Sequence, residues 1–355
     1  MIGYLVLETG ETYRGTWLGG RAKAGEVVFN TSHAGYEEIA TDPSYFHQIV
    51  VMTAPMQGNY GVDDAAWESR QLWIDGFVAQ EVRRSPLGRQ WLERLAASDI
   101  PILADLDTRE VTLRLRQSGT PWGALVQANS PEEAKGLALP LIKAKRAEPR
   151  DWVFAVSREQ LEERQGKIAS GPRVAVLDFG CKENTLRELQ AKCSRVGVFP
   201  SRSTPRQVLD WEPNAVLLSN GPGDPEDVQV ATETVRSLLG QRPIFGICMG
   251  HQILSLALGA KTFKLKFGHR GGNHPVRDDI LKTIYVTSQN HGYAVDPKSL
   301  PSDVVVTHLN LNDQTVEGVW SEKRRAFSVQ YHPESRPGPH EARRLFDYFI
   351  EGMIR

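Results

Sequence analysis

The sequence has little cysteine, almost no net charge and no long apolar run, and each shortage excludes a class of protein. Cysteine occurs three times, at Cys181, Cys193 and Cys248. So small and odd a set builds no disulfide framework. It contains no Cys-x-x-Cys pair, so no cysteine zinc site is read and no metal is expected. A reducing, cytoplasmic setting suits it. Lys and Arg total 42 against 43 for Asp and Glu, a formal net charge of -1. That balance gives no bulk attraction to nucleic acid or to an anionic membrane, and neither is expected as a partner. No stretch reaches the roughly 18 apolar residues of a membrane span. The opening Met1–Gly15 lacks the basic leader and long apolar run of a signal peptide. The G-x-x-x-x-G-K-[ST] phosphate loop and the G-x-G-x-x-G dinucleotide loop are both missing. No cofactor is therefore expected in this chain.

What is present is ordinary globular material, 40% hydrophobic and 24% charged over 355 residues. At about 150 residues per domain, that length suggests two domains. The first half is rich in short strands and turns. Apolar runs at Tyr4–Leu7, Glu26–Phe29 and Gln48–Met52 lie between Gly, Pro and Asn clusters. The spacing of Trp91, Leu92 and Leu95 predicts a helix over Leu87–Ser98. Asp107 and Ser130 each stand where an N-cap would open a further helix. A charged segment from about Asn129 to Gly171 ends at Ser170-Gly171-Pro172. The expected division is a strand-rich α+β domain over residues 1–169 and an α/β domain over residues 172–355. In the second half, strands at Val174–Leu177, Ala215–Leu218 and Pro243–Ile247 alternate with helices at Asn184–Lys192, Gln229–Leu239 and Gln252–Leu258. Continuous apolar strands of this kind are buried on both faces, so a mostly parallel sheet flanked by helices is predicted. A last helix is expected over His340–Ile350.

The most informative segment is Gly246-Ile247-Cys248-Met249-Gly250-His251-Gln252, placed between a buried strand and a helix. G-x-C-x-G at such a junction has the pattern of a nucleophile elbow. The helix N-terminus that follows favours a thiolate, and the Met249 N–H can receive an oxyanion. The plain alternative is a buried structural cysteine in a tight turn, the role read for Cys181 and Cys193 as apolar filler. A nucleophilic cysteine needs a base, and the base an orienting group. His332-Pro333-Glu334 follows a short strand, and i, i+2 side chains on extended chain share a face, so Glu334 can reach one imidazole nitrogen. Taken alone, the same tripeptide is a surface turn. His251 is a poorer base, because it lies in the helix behind the nucleophile. A third loop, Ser219-Asn220-Gly221-Pro222-Gly223-Asp224-Pro225, should lie at the same sheet edge and bring backbone N–H groups to a ligand.

Together these three segments resemble class I triad glutamine amidotransferases. Gly268–Pro275, Ser288–Ala294, Phe29–Ser32 and Thr41–Tyr45 narrow the resemblance to the small-subunit family of carbamoyl phosphate synthetases. It runs from the first strand to the last helix. It implies a Cys248–His332–Glu334 triad that hydrolyses L-glutamine through a γ-glutamyl thioester. It assigns glutamine contacts to Ser44, Gly221, Gly223, Met249, Gln252, Asn290, Gly292 and Tyr293, with Met249 commonly Leu and Tyr293 commonly Phe in relatives. Ser44 lies in the N-terminal half, so the resemblance implies a pocket at a domain interface, with that half serving mainly to dock. The implied partner is a large subunit that uses ATP and Mg with bicarbonate to make carbamoyl phosphate for arginine or pyrimidine synthesis. Heterodimers assembled to higher order are a further implication. Three alternatives remain open here: an amidotransferase serving another synthetase, such as one for anthranilate or guanylate; a non-catalytic scaffold subunit; and an α/β-hydrolase. The last usually carries Ser at the elbow and an acid-before-His order.

Overall fold

The computed structural model describes residues 1–354. The chain folds as two compact units, Met1–Pro149 and Arg150–Arg355. This division lies earlier than the one expected from composition. The reason is local: Glu162–Gln165 pairs antiparallel with the strand Arg195–Pro200, and Arg164 is ion-paired to Glu183. The charged stretch before Gly171 is thus an edge strand of the second unit.

The first unit is a closed barrel. Its strands are β1 (Ile2–Leu7), β2 (Thr12–Gly19), β3 (Lys23–Asn30), β4 (Gln48–Met52), β5 (Gly76–Val78), β6 (Ile102–Ala104) and β7 (Trp122–Gln127), in the order β1-β2-β6-β5-β4-β3-β7. The last strand pairs antiparallel with the first, so the sheet has no open edge. Four helices accompany it: α1 (Tyr36–Thr41), α2 (Trp91–Ala97), α3 (Thr108–Ser118) and α4 (Pro131–Arg146). Asp107 caps α3 through the Glu110 N–H, and Ser130 caps α4 through that of Glu133, as their spacing predicted. Helix α2 begins four residues later than its expected start. Ser85 and Gln90 tie residues 85–90 into a loop instead, and Leu87 is left exposed.

The second unit is α/β around a ten-stranded mixed sheet. Its strands are β8 (Glu162–Gln165), β9 (Arg173–Asp178), β10 (Arg195–Pro200), β11 (Ala215–Leu218), β12 (Ile244–Ile247), β13 (Thr262–Asp278), β14 (Thr283–Val295), β15 (Val305–Asn310), β16 (Val316–Ser321) and β17 (Ala326–Val329). They run in the order β8-β10-β9-β11-β12-β17-β16-β15-β13-β14. The five strands from β10 to β17 are parallel; both flanks are antiparallel, which the expectation of a mostly parallel sheet did not include. Alternation along the central strands fills two cores. Val174 and Val176 of β9 pack on one face with Phe245, Phe327 and the C-terminal Phe346 and Phe349. Ala175 and Leu177 pack on the other with Val235, Leu238, Ile253 and Leu254. The covering helices include α5 (Trp152–Val156), α6 (Glu183–Lys192), α7 (Pro205–Asp210), α8 (Gln229–Leu238) and α9 (Met249–Leu258). The expected last helix is a succession of short helical types from Glu341 to Met353 rather than one regular α-helix. Among the described residues, no helix is long and apolar enough to cross a membrane.

Close approach fixes the turn between β12 and α9. A Cβ added to Gly250 would lie 2.2 Å from the Leu218 carbonyl oxygen, and one on Gly246 would lie 2.6 Å from that of Gly250. Neither neighbour is the end of a flexible side chain, so neither can yield. Replacing Gly250 with Ala should therefore cost at least about 2 kcal/mol in urea unfolding, as overpacking does. An unchanged midpoint would remove the contact from its structural role.

Candidate active site

Cys248 sits at φ 53°, ψ -105° between β12 and α9, a left-handed φ that a non-glycine residue adopts only when its surroundings impose it. Two backbone bonds impose it. The Cys248 N–H donates to Val329 O (2.9 Å), and the Gly250 N–H donates to Ser219 O (2.9 Å). The first ties the elbow to β17, the second to the strand beside it. The thiol is buried, with Sγ 3.5 Å from the Asn290 carbonyl of β14.

His332 lies just beyond the end of β17, where its own N–H donates to Ser288 O (2.9 Å). Its Nδ1 is 2.7 Å from Glu334 Oε1, the i, i+2 pairing that the sequence predicts. With Nδ1 occupied, Nε2 is the nitrogen left to the thiol. That nitrogen is buried and makes no hydrogen bond within the protein, with Cys248 close enough to influence the ring electrostatically. Burial works to lower the His332 pKa, but the Glu334 carboxylate and the nearby Cys248 outweigh it and raise it. Burial likewise works to raise Glu334, and Lys182 and His332 outweigh that, bringing it down to about 2.

Lys182 is the residue that sequence reasoning missed. Its buried ammonium lies 3.1 Å from Glu334 Oε1 and also donates to the carbonyls of Ser335 and of Arg336, the latter at 2.7 Å. The loop after β9 places it there: Asp178 Oδ1 accepts from the N–H groups of Gly180 and Cys181, and Lys182 N donates to Asn220 Oδ1. The available signal was a lysine directly after a buried strand and its turn, Asp178-Phe179-Gly180-Cys181-Lys182, where a charge is out of place unless paired.

The other expected residues divide into two sets. Gly221, Gly223, Met249, Gln252, Asn290, Gly292 and Tyr293 all belong to the second unit. Gly221 is pressed against the Phe179 carbonyl, where a Cβ would lie 2.2 Å away, and Gly223 has φ +92°. Gln252 Nε2 donates to Tyr293 O and to Gln330 Oε1, each at 3.0 Å. Asn290 Nδ2 is buried without a protein partner. Ser44 belongs to the first unit, in a short turn capped by Asp42, whose Oδ1 accepts from Ser44 N at 2.9 Å. His251 is held against Ser328 Oγ at 2.8 Å, and burial lowers its pKa to about 3. It is a buried residue of α9 with its ring turned to Ser328.

Residues 175–352 match the glutamine amidotransferase class-I family model, and residues 5–125 match that of the carbamoyl-phosphate synthase small chain, CPSase domain. Whole-length relatives agree. The carbamoyl phosphate synthase small chain of Symbiobacterium thermophilum is 48% identical, covering 97% of this chain and 96% of its own. That of Thermus thermophilus is 44% identical, covering 98% and 92%, and that of Listeria innocua 43%, covering 98% and 96%. The chain belongs to the carbamoyl phosphate synthase small chain family.

In this small-chain family member the three thiols are set apart chemically. Burial pushes Cys181 well above the ordinary thiol range and Cys193 up to about 12. A thiolate-selective reagent at neutral pH should modify Cys248 well ahead of both, with glutamine analogues protecting it. Equal labelling of all three would deny Cys248 its special place.

The His332–Glu334 pair also sets a pH dependence. Glu334 is depressed from 4.5, so its contribution to stability is present above pH 4.5 and is lost as pH falls toward about 2. His332 is raised above 6.5 to about 10, so its contribution is full below pH 6.5 and is lost as pH rises through about 10. The stability gap between the native chain and Glu334→Gln should narrow from about pH 6 to about pH 10. A gap that stays constant would show that the imidazolium–carboxylate pair contributes nothing to folding.

Proposed function

We propose that this chain is the glutaminase subunit of a glutamine-hydrolysing carbamoyl phosphate synthetase. The observation that carries the reading is a strained, buried Cys248 on an elbow beside a His332 whose far nitrogen is held by Glu334. Cys248, whose thiol proton His332 already holds at neutral pH, attacks the side-chain carbonyl carbon of L-glutamine. The carbonyl oxygen becomes an oxyanion opposite backbone N–H groups at Met249 and Gly223. The Gly250 N–H is already committed to Ser219, which leaves Met249 as the donor at the head of α9. His332 then protonates the departing nitrogen, ammonia leaves and a γ-glutamyl thioester remains. Water, deprotonated by the same imidazole, attacks the thioester and releases glutamate. Glu334 keeps its charge throughout and stabilises the imidazolium, and Lys182 holds Glu334 in place.

The buried, unpaired amide of Asn290 is a donor that substrate would satisfy. Gly221, Gly223, Met249, Gln252, Gly292 and Tyr293 complete the glutamine contacts. Ser44 enters on the resemblance alone. The sequence carries no nucleotide loop, so the ammonia goes to a large subunit that supplies ATP, Mg and bicarbonate chemistry. The N-terminal barrel serves docking, heterodimers are the basic assembly, and a reducing cytoplasm suits three free, buried cysteines. An amidotransferase serving another synthetase is disfavoured by the match of residues 5–125 to the small-chain model.

The test is to assay the complex with glutamine or with ammonium as nitrogen donor. Cys248→Ser should lose glutamine-dependent synthesis by a factor of about 10³ or more while keeping ammonia-dependent synthesis. Loss of both activities, or of neither, would remove Cys248 from this role.

A further inference from the structure

His269 and His291 take no part in the proposed chemistry. They are register partners on the antiparallel strands β13 and β14, so both side chains lie on one face of the sheet. Gln289, two residues before His291, shares that face. Glu317 of β16 is fully buried beside them. One ring nitrogen of each histidine and one Glu317 oxygen all lie within 4.8 Å of one another. The other nitrogen of each ring is taken outside this group. His269 Nε2 is 2.8 Å from Asp313 Oδ2, and His291 Nδ1 is 2.7 Å from the Tyr293 carbonyl oxygen. His269 Nδ1 and His291 Nε2 are the atoms left to the group.

Within the group the hydrogen bonding does not close. Gln289 Nε2 donates to Glu317 Oε2 (3.0 Å) and to Thr287 Oγ1 (3.1 Å), which turns Gln289 Oε1 onto His291 Nε2 at 2.9 Å. Burial holds the His291 ring neutral, so it has one N–H for two acceptors. With that N–H on the Tyr293 carbonyl, two lone pairs face each other at Nε2. Turning the Gln289 amide over moves the conflict to Glu317 Oε2, another acceptor. A second defect stands beside the first: His269 Nδ1 is 3.6 Å from Glu317 Oε1, beyond hydrogen-bond reach. Two ligands of one tetrahedral zinc ion stand about 3.3 Å apart. A cation held by the inward lone pairs removes both defects.

We propose that His269 Nδ1, His291 Nε2 and the Glu317 carboxylate bind one divalent transition-metal ion, zinc by the character of the ligands, with the Gln289 carbonyl oxygen or a water in fourth place. The outward contacts are those such a site needs, because a ligating imidazole gives its other N–H to a carboxylate or a carbonyl. Asp313 serves His269 in this way, and Tyr293 serves His291. Asn310 Nδ2 donates to Glu317 Oε1 (2.9 Å) and orients the carboxylate. Two imidazoles with oxygen ligands suit zinc. Positive charge is already drawn to this place: Asp313 and Glu317 raise the His269 pKa against its burial. The ion supplies that charge instead, and His269 gives up its proton to solvent as it binds. The expectation of a metal-free chain came from cysteine spacing, and this group contains no cysteine. The role is structural: the ion ties the edge strand β14 to β16, which is not its neighbour in the sheet.

The test uses the full-length chain alone, stripped by a chelator and titrated with Zn2+ or Co2+. The native chain should hold about one ion and give the visible absorption of tetrahedral Co2+. His269→Gln should weaken binding by about 100-fold or more, and Asp313→Asn, at an exposed position, by on the order of tenfold. Cys248→Ser should bind as the native chain does. A native chain that holds no ion overturns the proposal, as does an unchanged affinity in His269→Gln. Loss of binding in Cys248→Ser also overturns it, because the ion then sits on the thiol. Should His269→Gln fail to fold, Asp313→Asn decides, and an unchanged affinity there is equally fatal. No readout involves glutamine, so the metal site and the glutaminase reading stand or fall separately.

Discussion

The site depends on how one buried positive charge is compensated. Lys182 and Glu334 are both fully removed from water, at a cost of several kcal/mol per ion unless each finds a partner. They find each other, and each has further partners: Lys182 the carbonyls of Ser335 and Arg336, Glu334 the His332 ring. The pairing decides more than stability. It holds the His332-Pro333-Glu334 turn against the loop after β9, two segments about 150 residues apart in sequence. It also holds the Glu334 carboxyl well below the usual carboxylate range, so at neutral pH the imidazole beside it is oriented by a carboxylate rather than by a neutral acid.

The elbow solves a different problem with backbone alone. Cys248 must leave the sheet sharply, and the strain of its left-handed φ is held by hydrogen bonds on both sides of the turn. Gly250 lets the chain pass within contact of the Leu218 carbonyl, and Gly246 leaves room for the Gly250 carbonyl. The Cys248 thiol is therefore positioned by close packing and backbone hydrogen bonds, and the His332 ring by a salt-bridged loop. Two kinds of force hold two parts of one site, each with its own sensitivity to pH and packing.

Much of this was legible in the sequence. The G-x-C-x-G turn read correctly because its cause is local: crowding at 246 and 250 and a strand before a helix. The His332–Glu334 pair read correctly because extended chain puts i and i+2 on one face. The buried strands of the second unit read correctly from their continuous apolar runs. The parts that were not legible depend on distant partners. Nothing near Lys182 says that its charge is met by a carboxylate about 150 residues away. The edge strand Glu162–Gln165 has the composition of a linker, and only pairing with Arg195–Pro200 makes it a strand. The barrel of the first unit was readable as short strands but not as a closed ring, since closure is a property of register between β1 and β7. The buried contacts of Glu317 with Asn310, Gln289 and His269 join four strands and show no local signal at any of them.

The order of strands in the second sheet has a consequence for how the protein comes into being. Cys248 stands at the end of β12, but the strand that pairs with β12 on its other side, β17, comes from residues 326–329, near the C-terminus. Until those residues leave the ribosome, β12 lacks one neighbour, the Cys248 N–H lacks its Val329 acceptor, and His332 is not yet in place. A nascent or truncated chain thus carries its thiol on an unfinished sheet. The centre of the sheet is therefore completed late: the elbow at Cys248 and the His332 segment come together only once residues 326–334 are available to pair.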